Sequence, residues 1–367
     1  MTQIKEIGHD PEPRARGMPG SGYDAGSLRS EIEPMFPSPP ASAAALEPPF
    51  TPDAGQARRL VMVRRLALIC AALMLATIVL SAFLRLSQAG LGCADWPACY
   101  GQNLSSVAQA PAPGTAVIVA RMLHRIVASL VLVLVIMLTL STLAMRPRLH
   151  VEGRLSAVML LLTLALAALG VVTAGATLPA VTLGNLIGGF LMLALCWRLA
   201  ATPASAAAPV ARMTHQARTP LQRWAALALA MLLVQVALGA LVSGSYAALS
   251  CQGWADCSKS AAAAGWDWQA MNPWHRPQLA DLPFNPGGAL AQLAHRLGAL
   301  LLLPLFAVVA LLAWRRQHRT EALLLLSLLA LQATLGWAGV AAGLPIALVL
   351  MHNLNAALML ALLTRLA

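Results

Sequence analysis

Leu191-Met192-Leu193-Ala194-Leu195, followed two residues later by Arg198-Leu199-Ala200, recurs as Leu358-Met359-Leu360-Ala361-Leu362 with Arg365-Leu366-Ala367 behind it. In this register Asn185 falls opposite His352. A second repeat lies upstream: Cys93 and Cys99 enclose five residues including Trp96, and Cys251 and Cys257 enclose five including Trp254. Between the repeats each half carries a histidine followed by arginine, His124-Arg125 and His295-Arg296. An internal repeat of this kind marks a duplicated unit, here one with histidines inside apolar segments.

With 59% hydrophobic residues and 11% charged, the chain is no ordinary soluble domain and reads as a polytopic membrane protein. A bilayer span needs about 20 apolar residues. Such runs are predicted at 65–86, 116–144, 155–176, 179–200, 224–247, 287–314, 321–342 and 345–366. Leu and Ala dominate them and aromatics are few, which argues against a barrel of alternating polarity. The expected fold is an all-α integral membrane protein whose eight transmembrane helices form two pseudo-symmetric four-helix bundles. The boundaries read as a disordered tail (1–57), an amino-terminal bundle (58–202), a linker (203–222) and a carboxy-terminal bundle (223–367).

Positive charge collects on cytoplasmic loops and so orients the spans. Arg58, Arg59, Arg64 and Arg65 precede the first; Arg146, Arg148 and Arg154 follow the second. Arg198, Arg212, Arg218 and Arg223 surround the connection between halves, and Arg315, Arg316 and Arg319 follow the sixth span. The opposite loops hold only Lys259 and Arg276. Both termini are therefore expected in the cytoplasm, and the net charge of +11 reflects topology and lipid contact, with no need of a nucleic-acid partner. Residues 1–57 are rich in Pro, Gly, Ser and Ala and lack helical periodicity, as a disordered tail does. Their acidic residues argue against a mitochondrial transit peptide. A multi-pass protein of a bacterial inner membrane is the expected setting.

This topology puts Cys93, Cys99, Cys251 and Cys257 on the outer face, where disulfides form. Two readings stand: staples of surface loops, or redox-active pairs that are reduced and reformed. Zinc is a poor alternative because no histidine has ligand spacing. Cys70 and Cys196 fall inside spans and read as packed apolar residues. The loop 250–286 carries Trp254, Trp266, Trp268 and Trp274, and would either lie at the membrane surface or shield a buried site.

His124, Asn185, His295 and His352 occur early in spans two, four, six and eight, each about six to nine residues from the outer end, or a depth of about 9–13 Å. A lone histidine there could be a core residue bonded to a carbonyl; three at one depth in a duplicated bundle point to ligation. Two imidazoles on facing helices suit axial binding of a haem iron. The second half offers His295 and His352. The first offers His124 and Asn185, whose amide is a poor iron ligand, so that site keeps an open position. Arg85, Arg125 and Arg296 are costly charges that propionates would neutralise, or else they snorkel to the interface.

These residues resemble the haem A synthase family. The resemblance is carried by Arg85-Leu86 ahead of Gly90-Leu91-Gly92-Cys93-Ala94-Asp95-Trp96-Pro97-Ala98-Cys99-Tyr100-Gly101, by the two His-Arg pairs, by Ser245-Tyr246-Ala247-Ala248-Leu249-Ser250-Cys251 and by His352-Asn353. It covers roughly residues 62–367. It implies two similar four-helix bundles, haem b held by His295 and His352, and haem O bound as substrate in the amino-terminal bundle. It also implies oxidation of a porphyrin methyl to a formyl group, giving haem A for terminal oxidases. The implied partners are terminal oxidase assembly, the haem O synthase that supplies the substrate, and a homo-oligomer.

Two residues depart from the family pattern. Arg121 stands where a glutamate is usual, one turn before the first His-Arg pair, and Asn185 where histidine is usual. The expected catalytic set in the substrate half is thus Arg121, His124 and Asn185. The alternatives are a haem-binding assembly protein without catalysis, or a membrane cytochrome b that carries electrons. The latter is disfavoured because all ligands share one depth.

Overall fold

The computed structural model describes residues 54–102, 114–172, 177–202, 218–251, 253 and 256–367. The tail as far as residue 53, most of the linker and Trp254 lie outside the described residues. Among those described there are nine α-helices. They are α1 (Ala54–Gln88), α2 (Thr115–Thr139), α3 (His150–Val172), α4 (Pro179–Ala200), α5 (Pro220–Gly244), α6 (Cys257–Ala263), α7 (Ala289–Arg315), α8 (Arg319–Ala341) and α9 (Ile346–Leu366). All but α6 are long and apolar enough to cross a membrane, where a helix satisfies its own backbone groups.

The eight expected spans match these helices to within a few residues, α1 excepted. It begins at Ala54, inside the stretch read as tail. The extension carries arginines that read as solvated, yet Arg59 is buried and its guanidinium donates to the carbonyl of Pro147 between α2 and α3. The other starts have local causes. Pro179 and Pro220 occupy first helical positions, where the missing N–H costs nothing. Thr219 and Gln222 cap α5 reciprocally. α2 ends in a π-turn, Leu140–Ala144, with Thr142 bonded to Ser156 of α3 at 2.8 Å.

Packing runs α1–α2–α3–α4 and back to α1, and likewise α5–α7–α8–α9 and back to α5; α4 against α5 and α9 against α1 and α4 join the two sets. One apolar core runs through them, with Phe190, Leu193 and Cys196 of α4 in the same cluster as Phe306 and Leu360. Burial follows the repeat. Met192 and Met359 are 1% and 2% exposed, Leu193 and Leu360 are fully buried, and Leu191 and Leu358 are each 37% exposed. The copied heptad-like stretch is thus the seam at which the helices of both halves meet.

At the end opposite the arginine-bearing connections, Cys93 pairs with Cys99 and Cys251 with Cys257, each within its own loop. Buried Asn285 ties the long loop to the end of α5 by donating to Ser245 O at 2.7 Å, while Ser250 Oγ donates to Asn285 O at 2.7 Å. Trp268 and Trp274 are 73% and 72% exposed; rings so bare favour the interface reading of this loop over the shielding one. Cys70 and Cys196 are fully buried, their sulfurs 3.3 Å apart.

Candidate functional site

A cavity of about 330 Å³ opens between α5, α7, α8 and α9 near the disulfide-bearing end. Its walls are apolar, with Leu232, Val236, Phe306 and Leu335 among them. Into it come His295 from α7 and His352 from α9. The expected pair of ligands therefore shares one chamber. Arg296, the residue after His295, also lines the chamber; it is buried, and its guanidinium donates to Gly253 O of the outer loop at 2.5 Å.

The other half of the chain completes the wall. Arg85 and Leu86 at the end of α1, and Leu91 and Tyr100 of the first disulfide loop, border the same cavity. Tyr100 is 1% exposed, and its hydroxyl is hydrogen-bonded by the backbone of Ala248. Burial pushes that phenol well above the ordinary tyrosine range, with Arg85 nearby opposing in part. Burial likewise raises Tyr246.

Each imidazole is held by an amide of the preceding membrane helix in its set. Gln235 Nε2 of α5 lies 3.1 Å from His295 Nδ1 and donates to His295 O at 2.7 Å. Gln332 Nε2 of α8 lies 2.9 Å from His352 Nε2. Gln332 is held in turn by Asn355, whose Nδ2 donates to Gln332 Oε1 at 2.7 Å and to Leu328 O at 2.8 Å. His352 Nδ1 is buried without a hydrogen-bond partner. Gln235, Gln332 and Asn355 were not among the residues expected here, and Tyr100 was expected only as part of the Cys99-Tyr100-Gly101 motif. A signal was present in Gln235-x-x-x-Gly239 and Gln332-x-x-x-Gly336, an amide one turn before a glycine in two apolar spans; polar groups at such depth need a partner.

The residues expected around the other site fall differently. His124 and Asn185 are half-buried, Arg121 and Arg125 are exposed, and none of these four borders the cavity just described. Along α2, Ala120 and then Val131, Val135 and Leu138 are buried, with no buried residue between Ala120 and Val131. Met122, Leu123, Ile126 and Leu130 face outward, as do Leu161, Val171 and Val172 of α3. The helices around His124 therefore present a loosely covered apolar face.

The chain is similar to known proteins over most of its length. The family model for COX15-CtaA, cytochrome oxidase assembly protein, matches residues 64–364. A heme A synthase of Shewanella oneidensis is 30% identical over 316 residues, covering 78% of this chain and 90% of the relative. With the match running from the first membrane helix to the last, the chain belongs to the COX15-CtaA family of cytochrome oxidase assembly proteins.

Proposed function

We propose that this protein is a haem A synthase-type membrane oxidoreductase that oxidises a methyl group of haem O to a formyl group, giving haem A for terminal oxidases. The carrying observation is that His295 and His352 enter one apolar cavity together with Arg85 and Arg296. The match to a heme A synthase over most of both chains supports the choice of reaction.

The chamber suits haem b as a resident cofactor. Its apolar walls fit a macrocycle, His352 Nδ1 is a buried polar atom without a hydrogen-bond partner, and two arginines match two propionates. Among the described residues no three of His, Cys, Asp or Glu converge as a metal cage; haem requires none, since the porphyrin holds the iron and the protein supplies axial ligands. Bound there, haem b would supply one-electron chemistry to the substrate half. His295 and His352 would hold it, and Arg85 and Arg296 would fix its polar edge. In the amino-terminal bundle, His124 would ligate the haem O substrate, Asn185 would leave the facing side open, and Arg121 with Arg125 would meet anionic groups. The loosely covered face around His124 suits a substrate that must enter and leave. Matching burial of the repeated segments supports a pseudo-symmetric pair of bundles divided near residues 203–222.

The arginine distribution supports cytoplasmic termini, and the acidic residues of the tail, which a transit peptide lacks, support a bacterial inner membrane. The haem O synthase and a second copy of the chain are candidate partners. A second reading, a haem-handling assembly protein without catalysis, is favoured by Arg121 and Asn185. Expression in a host that makes haem O but lacks haem A synthase separates the two. Haem A in the extract supports the enzyme, and haem O alone supports the second reading.

A further inference from the structure

Cys70 of α1 and Cys196 of α4 are fully buried in one apolar cluster, and Cys196 Sγ donates to Cys70 Sγ at 3.3 Å. Neither takes part in the disulfides or borders the histidine cavity. Helix geometry brings in a third sulfur. Met74 follows Cys70 by four residues, so the two share one face of α1, and Met74 is 4% exposed in the same cluster. Helical side chains lean toward the N-terminus of their own helix, which lays the Met74 thioether over the turn that carries Cys70. Met192 stands one turn before Cys196 on α4, and by the same rule leans away from it. Its sulfur accepts from Thr163 Oγ1 at 3.7 Å.

The duplicated half needs no sulfur at these places. In the cysteine register Ala228 stands opposite Cys70, and in the His352 register Leu363 stands opposite Cys196; both are fully buried. Two thiols and a thioether are a soft donor set of the kind that selects Cu(I) over harder ions. A structural zinc ion takes four donors, more than this set holds. Charge points the same way. A net charge deep in an apolar span is costly, and Cu(I) can bind here without leaving one. Cu⁺ and the two thiols give one Cu–thiolate bond, one Cu–thiol bond and a proton released to water. No electron is transferred, whereas a divalent ion would need both thiols to ionise.

We propose that Cys70, Cys196 and Met74 form a buried site for a soft monovalent metal ion, Cu(I), that cross-links α1 to α4 within the amino-terminal bundle. The site does not rest on the haem reading above. Cys196 lies eleven residues beyond Asn185 along α4, or about 16 Å, toward the end opposite the disulfide loops.

The test titrates the full-length protein in detergent with Cu(I) against a chromogenic Cu(I) chelator. Ascorbate keeps the copper reduced and spares the disulfides. X-ray absorption at the copper edge then reads the donor atoms. Wild type is compared with Cys70→Ala, Cys196→Ala, Met74→Leu and Met192→Leu, with helicity and monodispersity as folding controls. Wild type is expected to hold a single Cu(I) against the chelator, through sulfur donors only, and to melt at a higher temperature when loaded. Either alanine variant should lose the ion, Met74→Leu should yield it at a lower chelator concentration, and Met192→Leu should match wild type. Should an alanine variant not fold, the wild-type stoichiometry and donor spectrum decide alone. Folded wild type that holds no more Cu(I) than a folded alanine variant, or that binds it through nitrogen donors, would overturn the site. So would a Cys70–Cys196 disulfide in the isolated protein, which would make the pair a covalent staple. Loss in the alanine variants with Met74→Leu unchanged would overturn the place given to the methionine.

Discussion

The rings of Tyr100 and Tyr246 meet edge to face, with centroids 5.5 Å apart and planes inclined at 64°. One follows the first disulfide loop; the other follows α5 in a left-handed backbone conformation, φ 55°, which costs energy for a bulky residue and is repaid here by packing. Trp96 extends the stack onto Tyr100 at 5.4 Å. Of these aromatics Tyr100, together with Arg85, borders the histidine cavity, so the first loop forms part of the second half's site.

Alkaline titration should detect this packing. A phenol whose folded pKa is raised adds stability that is complete below the unfolded value of about 10 and is lost as pH climbs through the folded value. Burial raises both Tyr100 and Tyr246. In an ultraviolet titration, two of the chain's three tyrosines should therefore ionise late, and together with loss of the folded cavity. Three tyrosines ionising at the ordinary value in intact protein would contradict the packing.

Replacing His295 or His352 by alanine removes an imidazole from the chamber and leaves Gln235 or Gln332 facing a void. Haem content per protein should collapse in either variant and the low-spin spectrum should vanish. A pyridine haemochrome assay on purified protein decides it; unchanged content in both would exclude these two as ligands.

Gly239→Ala and Gly336→Ala test how closely the two histidine rings are packed. At 3.0 and 3.2 Å from the rings, each new methyl must push its histidine by a few tenths of an ångström. Overpacking of this kind costs about 1–3 kcal/mol. Both variants should melt earlier in detergent and bind haem less firmly, Gly239→Ala more so. Equal or higher melting temperatures would mean that the rings have room to spare.

Much of this was readable from residues alone, and the misses have physical causes. Spans follow from hydropathy because lipid admits long apolar helices, but the start of α1 does not, since Arg59 looks solvated until Pro147 is seen to receive it. His-Arg pairs invite equal treatment of Arg125 and Arg296, yet one is exposed and the other buried under Gly253. The repeat announced the histidines; each glutamine stood one turn before a glycine, but an amide in an apolar run names its partner only once the neighbouring helix is known. Arg85 was expected to meet a propionate, but only packing reveals that it borders the chamber of the opposite half.

Peptide mapping under non-reducing conditions should recover Cys93 joined to Cys99 and Cys251 joined to Cys257, as the loops pair them. Cys70 and Cys196 should be recovered as alkylatable thiols after denaturation. Bonds joining the two loops would refute the arrangement.

The amino-terminal bundle carries the sharpest expectation. His124 is its single histidine at ligand depth, half-buried on a helix whose neighbouring residues face outward, and Asn185 stands where the other half has His352. A site with one strong ligand and an open opposite side lets substrate exchange and lets an oxidant approach; two strong ligands would hold the haem more firmly. Arg121, one turn from His124 and exposed, is suited to meet an anion and has no proton-accepting carboxylate to offer. In a host that makes haem O and lacks haem A synthase, the wild-type chain should yield haem A, and His124→Ala should abolish it while haem b, held by the other bundle, stays. Should haem O accumulate alone, the double variant Arg121→Glu, Asn185→His becomes the deciding strain. Haem A restored there would trace the loss to those two residues, and haem O persisting would leave the protein as a haem-handling member of its family.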